Sequence, residues 1–195
     1  MLGVVAASTA PHLFWITSRA AGTAALLLSS VAVCLGLVMG LRLVKRRGFD
    51  LRVTHEALSL ATMAAIAIHA GSLLGDSYLK PSVLDVTVPF ASGYRTGWTT
   101  AGIVAGWALL VLGLSYYARK WIGAARWRRL HRLTVLAWAL GLAHSLGEGT
   151  DAGTYWFIAM TTIVTLPALL LLAARTSARA RRRGQATPAA AAVRR

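Results

Sequence analysis

Four histidines stand in stretches that are otherwise almost wholly apolar. His55 and His69 are fourteen residues apart, at the two ends of HEALSLATMAAIAIH, and His131 and His144 are thirteen apart, at the ends of HRLTVLAWALGLAH. An imidazole is a good metal ligand and a proton carrier near neutral pH. In a segment bound for lipid it is also costly, which makes such a residue a functional hypothesis by default. What four of them do together depends on the elements that carry them.

The chain has 195 residues, 56% hydrophobic and only 14% charged. A soluble domain carries roughly 25% charged residues. The net charge of +15 invites a nucleic-acid reading, but that needs a basic face on a soluble fold, and the apolar runs exclude one. Residues 20–41, 57–75, 96–118 and 152–174 are uncharged, each near the ~20 residues that cross a bilayer. A fifth stretch, 133–147, is shorter and gains length by starting near Trp127, with its arginines snorkelling to the interface. Backbone polar groups in lipid must bond within their own segment, so all five are expected to be helices.

The basic residues set the orientation. Eighteen of the 21 Lys and Arg fall in alternate connections: Arg42, Lys45, Arg46, Arg47 and Arg52 after the first span, the group from Arg119 to Arg132 after the third, and the tail from Arg175 after the fifth. This positive-inside pattern puts the N-terminus outside and the C-terminus in the cytoplasm. The +15 is then a topology signal, with no nucleic-acid partner. No basic n-region precedes the first apolar stretch, so no cleaved signal peptide is expected. The lone Cys34 reads as a small buried hydrophobe. The Arg- and Ala-rich tail, 175–195, reads as disordered and able to lie on anionic lipid. GLVMG (36–40) and GIVAG (102–106) read either as close helix contacts or as ordinary variation in a Gly-rich membrane protein.

With that topology the second and fourth spans both run outward. At 1.5 Å per residue His55 and His69 differ in height by roughly 21 Å, and His131 and His144 by roughly 20 Å. His55 then lies level with His131, and His69 with His144. Two facing imidazoles at each level can hold a haem iron from both sides, and facing helices are a normal place for such a site. Zinc wants about four close ligands, and proton relays usually include carboxylates. The angles raise a difficulty. A spacing of fourteen leaves two residues about 40° apart around a helix, but thirteen leaves them about 140° apart. The fourth span must be overwound, bulged or strongly tilted, and Gly141 is one place for that.

The paired spacings, together with WRRLH (127–131), resemble the ferric reductase-like transmembrane domain superfamily. It includes ferric reductases, the NADPH oxidase membrane domain and the haem-binding membrane subunit of bacterial methionine sulfoxide reductase. The resemblance covers roughly residues 12–175, with five helices where the family commonly has six. It implies two b-type haems held by His55, His69, His131 and His144, and the family uses the spacing of thirteen too. ITSRAAG (16–22) is similar to the start of a family helix whose arginine approaches the outer haem. By that likeness Arg19 is a candidate for a haem propionate, the alternative being an interfacial anchor; Tyr94 and Arg95 are weaker candidates.

The expectation is therefore an all-α, polytopic bundle of five transmembrane helices in the bacterial inner or plasma membrane. Residues 1–174 would form a di-haem cytochrome b domain and 175–195 a basic cytoplasmic tail. It would pass electrons outward to a periplasmic or extracellular acceptor. With no Gly-rich phosphate loop in the sequence, the donor would be a separate flavin or NAD(P)H reductase, FMN, or a quinol. The alternative is a small transporter or channel using its histidines for protons or metal ions. His12 reads as interfacial and Trp138, midway between His131 and His144, as packing, the alternative being a place between the haems, while Trp15, Trp98, Trp121, Trp127 and Tyr155 read as an aromatic belt.

Overall fold

The computed structural model describes residues 2–44 and 50–192. Lys45, Arg46, Arg47, Arg194 and Arg195, which contribute to the charge pattern, lie outside the described residues. Among the described residues eight helices follow one another: α1 (Leu2–Leu41), α2 (Leu51–Leu73), α3 (Val83–Thr87), α4 (Thr96–Leu114), α5 (Arg119–Ile122), α6 (Ala124–His131), α7 (Thr134–Glu148) and α8 (Tyr155–Ala192). No strand occurs among the described residues. Four stretches are long and apolar enough to cross a membrane: His12–Leu41, Leu51–Leu73, Thr96–Leu114 and Tyr155–Ala178. The protein is all-helical and multi-pass by length and composition.

The fourth histidine-bearing segment is built differently. α7 has 15 residues, about 22 Å of helix against a hydrocarbon core of about 30 Å. α6 precedes it, and the two are separated at Arg132 and Leu133. There the backbone bonds shorten to three residues: Leu133 N–H donates to Leu130 O at 2.8 Å and Leu136 N–H to Leu133 O at 3.0 Å. Each residue in such a tight turn adds about 120° rather than 100°. A few of them, at about 20° gained each, carry His144 part of the way back toward the face of His131, so overwinding at this break makes up some of the angular mismatch. Gly141 is not the site of it: it lies within regular α7, against Ala105.

Local chemistry fixes the other ends. Asp50 caps α2, its carboxylate accepting from Arg52 N–H at 2.9 Å and so satisfying an orphan donor of the first turn. Ser82 and Asp85 form a reciprocal capping box on α3. Gly123, at φ 87°, makes the turn between α5 and α6, a backbone region that favours glycine. The segment expected to be a disordered tail continues α8 as helix to Ala192; Ala and Arg are among the strongest helix formers.

Packing falls into two layers. α1 lies along α2, α4 lies along α7, and α8 packs on α1. The core mixes a few large side chains, Leu26, Leu37, Trp138 and Phe157, with small ones, including Ala25, Ala32, Ala65, Ala105, Ala137 and Ala168, and the small ones let helix backbones approach closely in the absence of a hydrophobic drive. α2 and α7, the helices that carry the outer histidines, barely touch.

Candidate functional site

The histidine rings bridge that gap. His55 and His131 have ring centroids 6.1 Å apart, and His69 and His144 6.3 Å apart. These are the pairs that matched by height in the sequence. All four lie where the two layers face each other, so the order of the layers, α2 with α1 and α7 with α4, decides which backbones surround each ring.

Three of the rings are fixed by one device. His55 Nδ1 bonds to the Ala32 carbonyl at 2.9 Å, His69 Nδ1 to the Ser18 carbonyl at 2.8 Å, and His144 Nδ1 to the Trp98 carbonyl at 2.8 Å. A carbonyl only accepts, so each Nδ1 carries the proton and each Nε2 keeps a free lone pair. Four residues after each carbonyl stands a glycine: Gly36, Gly22 and Gly102. A Cβ at Gly36 would come within 3.3 Å of the His55 ring, one at Gly22 within 2.9 Å of His69, and one at Gly102 within 2.7 Å of His144. The glycine clears the space through which the ring reaches the carbonyl. Gly36 and Gly102, read in the sequence either as close helix contacts or as ordinary variation, are ring cradles. Gly22 and the carbonyls of Ser18, Ala32 and Trp98 carried no signal, because a backbone acceptor has no side-chain signature.

His131 departs from the pattern. Its Nδ1 is buried without a hydrogen bond. The Leu112 carbonyl interacts with it but outside hydrogen-bond geometry, and that oxygen accepts from Ser115 Oγ at 2.6 Å. Trp127 stacks on the His131 ring instead, with centroids 5.0 Å apart and planes 26° apart. Trp127, read from its position as a belt residue, is half-buried with its ring against His131.

The residues fit a bis-imidazole metal centre at each level. A metal–nitrogen bond of about 2.0 Å, added to the roughly 1.1 Å from ring nitrogen to centroid, puts two imidazoles across one ion about 6.2 Å apart. A carbonyl on Nδ1 is also the usual support for a ligating Nε2. Each level supplies two nitrogens, and among the described residues no three His, Cys, Asp or Glu gather as ligands. That suits a metal already held by a macrocycle better than a bare zinc ion.

The other candidates are placed as follows. Arg19 forms an ion pair with Asp151 and lies over the Trp15 ring at 4.2 Å. A guanidinium has five donors, so this pairing leaves capacity for a second anion. Arg95 donates to the Gly147 carbonyl at 2.6 Å, tying α4 to α7, and the Tyr94 ring is exposed. His12 stacks on Trp15. Trp138 is 2% exposed and donates from Nε1 to Ser30 Oγ at 3.0 Å, a buried tie between α1 and α7. Cys34 is half-buried. Trp121 and Tyr155 are almost fully exposed, as residues of an interfacial belt would be. No family model matches the chain, and it matches no curated protein and no solved structure.

Proposed function

We propose that this chain is a five-span membrane cytochrome that carries electrons between the two faces of the bilayer, with its N-terminus outside and its C-terminus in the cytoplasm. In this reading α6 and α7 together make the fifth span. His55 and His131 hold an inner haem b, and His69 and His144 an outer one. When bound, each haem supplies a one-electron carrier at its depth in the membrane. The chain's own residues do the rest. The carbonyls of Ser18, Ala32 and Trp98 fix the tautomer and direction of three ligands. The small, apolar surroundings keep water from the centres. The basic residues of α5 and α6 attract an anionic donor, such as a flavin phosphate, to the inner level; a quinol is the other donor of matching chemistry. The acceptor lies on the outer face.

One observation carries the reading: two imidazole pairs at ligand separation, with Nδ1 engaged by backbone carbonyls in three of the four rings. The resemblance to ferric reductase-like domains points the same way. The test is the visible spectrum and haem content of protein purified with haem supplied. Two haems per chain, with a b-type Soret band that shifts on dithionite reduction, are expected. His55→Ala and His131→Ala should each lose the same haem, and His69→Ala and His144→Ala the other. A colourless, folded protein would sink the proposal and favour proton or metal-ion transport by the same histidines.

A further inference from the structure

The four histidines are not supported alike, and the difference falls on one residue. For three of them the support is a carbonyl at position n with a glycine at n + 4. For His131 the corresponding carbonyl is that of Leu112, and the residue four further on is Tyr116. The Leu112 oxygen accepts from Ser115 Oγ and makes no hydrogen bond to His131 Nδ1. Past Leu114 the backbone of α4 tightens, with Tyr116 N–H donating to Gly113 O. No cradle exists there, and His131 Nδ1 is left buried and unbonded. His131 is also the last residue of α6, at the break before α7, so its own backbone is less constrained than that of a mid-helix ligand.

What lies against the ring is Trp127. It sits one helical turn earlier on α6, where i and i + 4 side chains meet, and stacks on the imidazole face. The Tyr116 ring, with its centroid 5.8 Å from that of Trp127, braces the indole at 60°, and Tyr116 is itself covered by the Arg119 guanidinium at 3.9 Å. The indole Nε1 is buried and makes no hydrogen bond. An N–H left unpaired out of water is unfavourable, so the indole's hydrogen-bonding capacity is not what fits it to this place; its flat surface is.

We propose that Trp127 is a positioning residue for His131: it orients by stacking the one ring of the four whose Nδ1 makes no hydrogen bond, and the inner level is consequently the one whose ligand can swing away. The consequence for haem rests on the cytochrome reading above; the positioning of the ring does not. In the haem-free protein, carbon-13 relaxation at histidine Cε1 reports the motion of each ring separately. Trp127→Leu is expected to increase the mobility of His131 severalfold and leave His55, His69 and His144 unchanged. Trp127→Phe, which keeps a stacked ring and drops the N–H, is expected to stay near the native protein. Equal rigidity of His131 in all three proteins would overturn the proposal, as would equal loosening by Phe and Leu. Circular dichroism of each variant establishes that helix content is retained. In the reduced, haem-loaded protein, Trp127→Leu should admit carbon monoxide to one haem of the two, the one lost in His131→Ala. Carbon monoxide binding at the outer level instead, or at neither level, would overturn the assignment of lability to the inner pair. A protein that binds no haem but shows the His131-specific loosening would leave positioning standing and remove only the cytochrome reading.

Discussion

At the scale of single residues, the site is a set of imidazoles aimed by backbone oxygens. The glycines make this testable. Gly102→Ala would put a Cβ 2.7 Å from the His144 ring, whereas at Gly36 the same Cβ stands 3.3 Å from His55. The first demands that the ring move; the second asks for a few tenths of an ångström. Overpacking of this kind costs about 1–3 kcal/mol. Gly102→Ala should therefore lower stability by about that much and release the outer haem, with Gly36→Ala much milder. Gly71, with nothing near its missing Cβ, is the control, and alanine there should be neutral or stabilising by up to about 1 kcal/mol. Thermal unfolding and haem content check all three. The ligand candidates were legible in the sequence because histidine in an apolar run is conspicuous. Their supports were not, since a carbonyl is present at every position. The Asp151 partner of Arg19 was likewise hidden, because the two are 132 residues apart.

At the scale of elements, the angle between His131 and His144 could be computed from a spacing alone, and so the need for distortion was readable. Its place was not. HRLTV contains neither Gly nor Pro, and the visible glycine, Gly141, drew the reading away from Arg132 and Leu133. At the break Thr134 Oγ1 donates to the His131 carbonyl at 2.7 Å, and beyond it α7 lies along α4. Inserting one alanine after Leu136, beyond the tight turn, should rotate the rest of α7 by about 100° relative to His131. That takes His144 off its partner, so the insertion is expected to leave one haem per chain and to spare the inner level. Retention of both haems would mean the break swivels freely. The short α3 gives a pH-dependent prediction. Hydrogen bonds from Ser82 hold the Asp85 carboxyl below its usual range. A depressed carboxyl contributes stability above its unfolded pKa and loses it as pH falls through the folded value. Amide exchange over residues 82–88 should therefore quicken on acidification through the carboxylate range, after correction for the intrinsic rate, and Asp85→Asn should abolish that dependence. The group is fully exposed, so the effect stays local.

At the scale of the whole molecule, two helical layers meet along a seam closed by α1 on α7 and by α2 on α4, but left thin between α2 and α7. α1 with α2, and α4 with α7, are well packed pairs, while α2 and α7 barely touch. The alternation of basic connections, which gave the layers their direction in the sequence, says nothing about this seam; pairing between layers depends on contacts that span most of the chain. A ligand gripped by one histidine from each side of the seam would hold the layers together. Binding to the folded state alone stabilises by RT ln(1 + [L]/Kd), about 4 kcal/mol at a thousandfold excess over Kd. Haem-loaded protein is thus expected to unfold well above the haem-free form, and the gain should divide between the levels. His69→Ala or His144→Ala should remove one share of it and His55→Ala or His131→Ala the other. In the haem-free protein the same substitutions should change the midpoint little, because His55, His69 and His144 there each forfeit about one hydrogen bond of roughly 1 kcal/mol and His131 Nδ1 has none to lose. The difference between loaded and haem-free shifts, measured by thermal unfolding in one detergent, isolates the contribution of bridging from that of the side chain. Equal shifts in both forms would mean that the histidines act as packing residues and that the seam is held by something else.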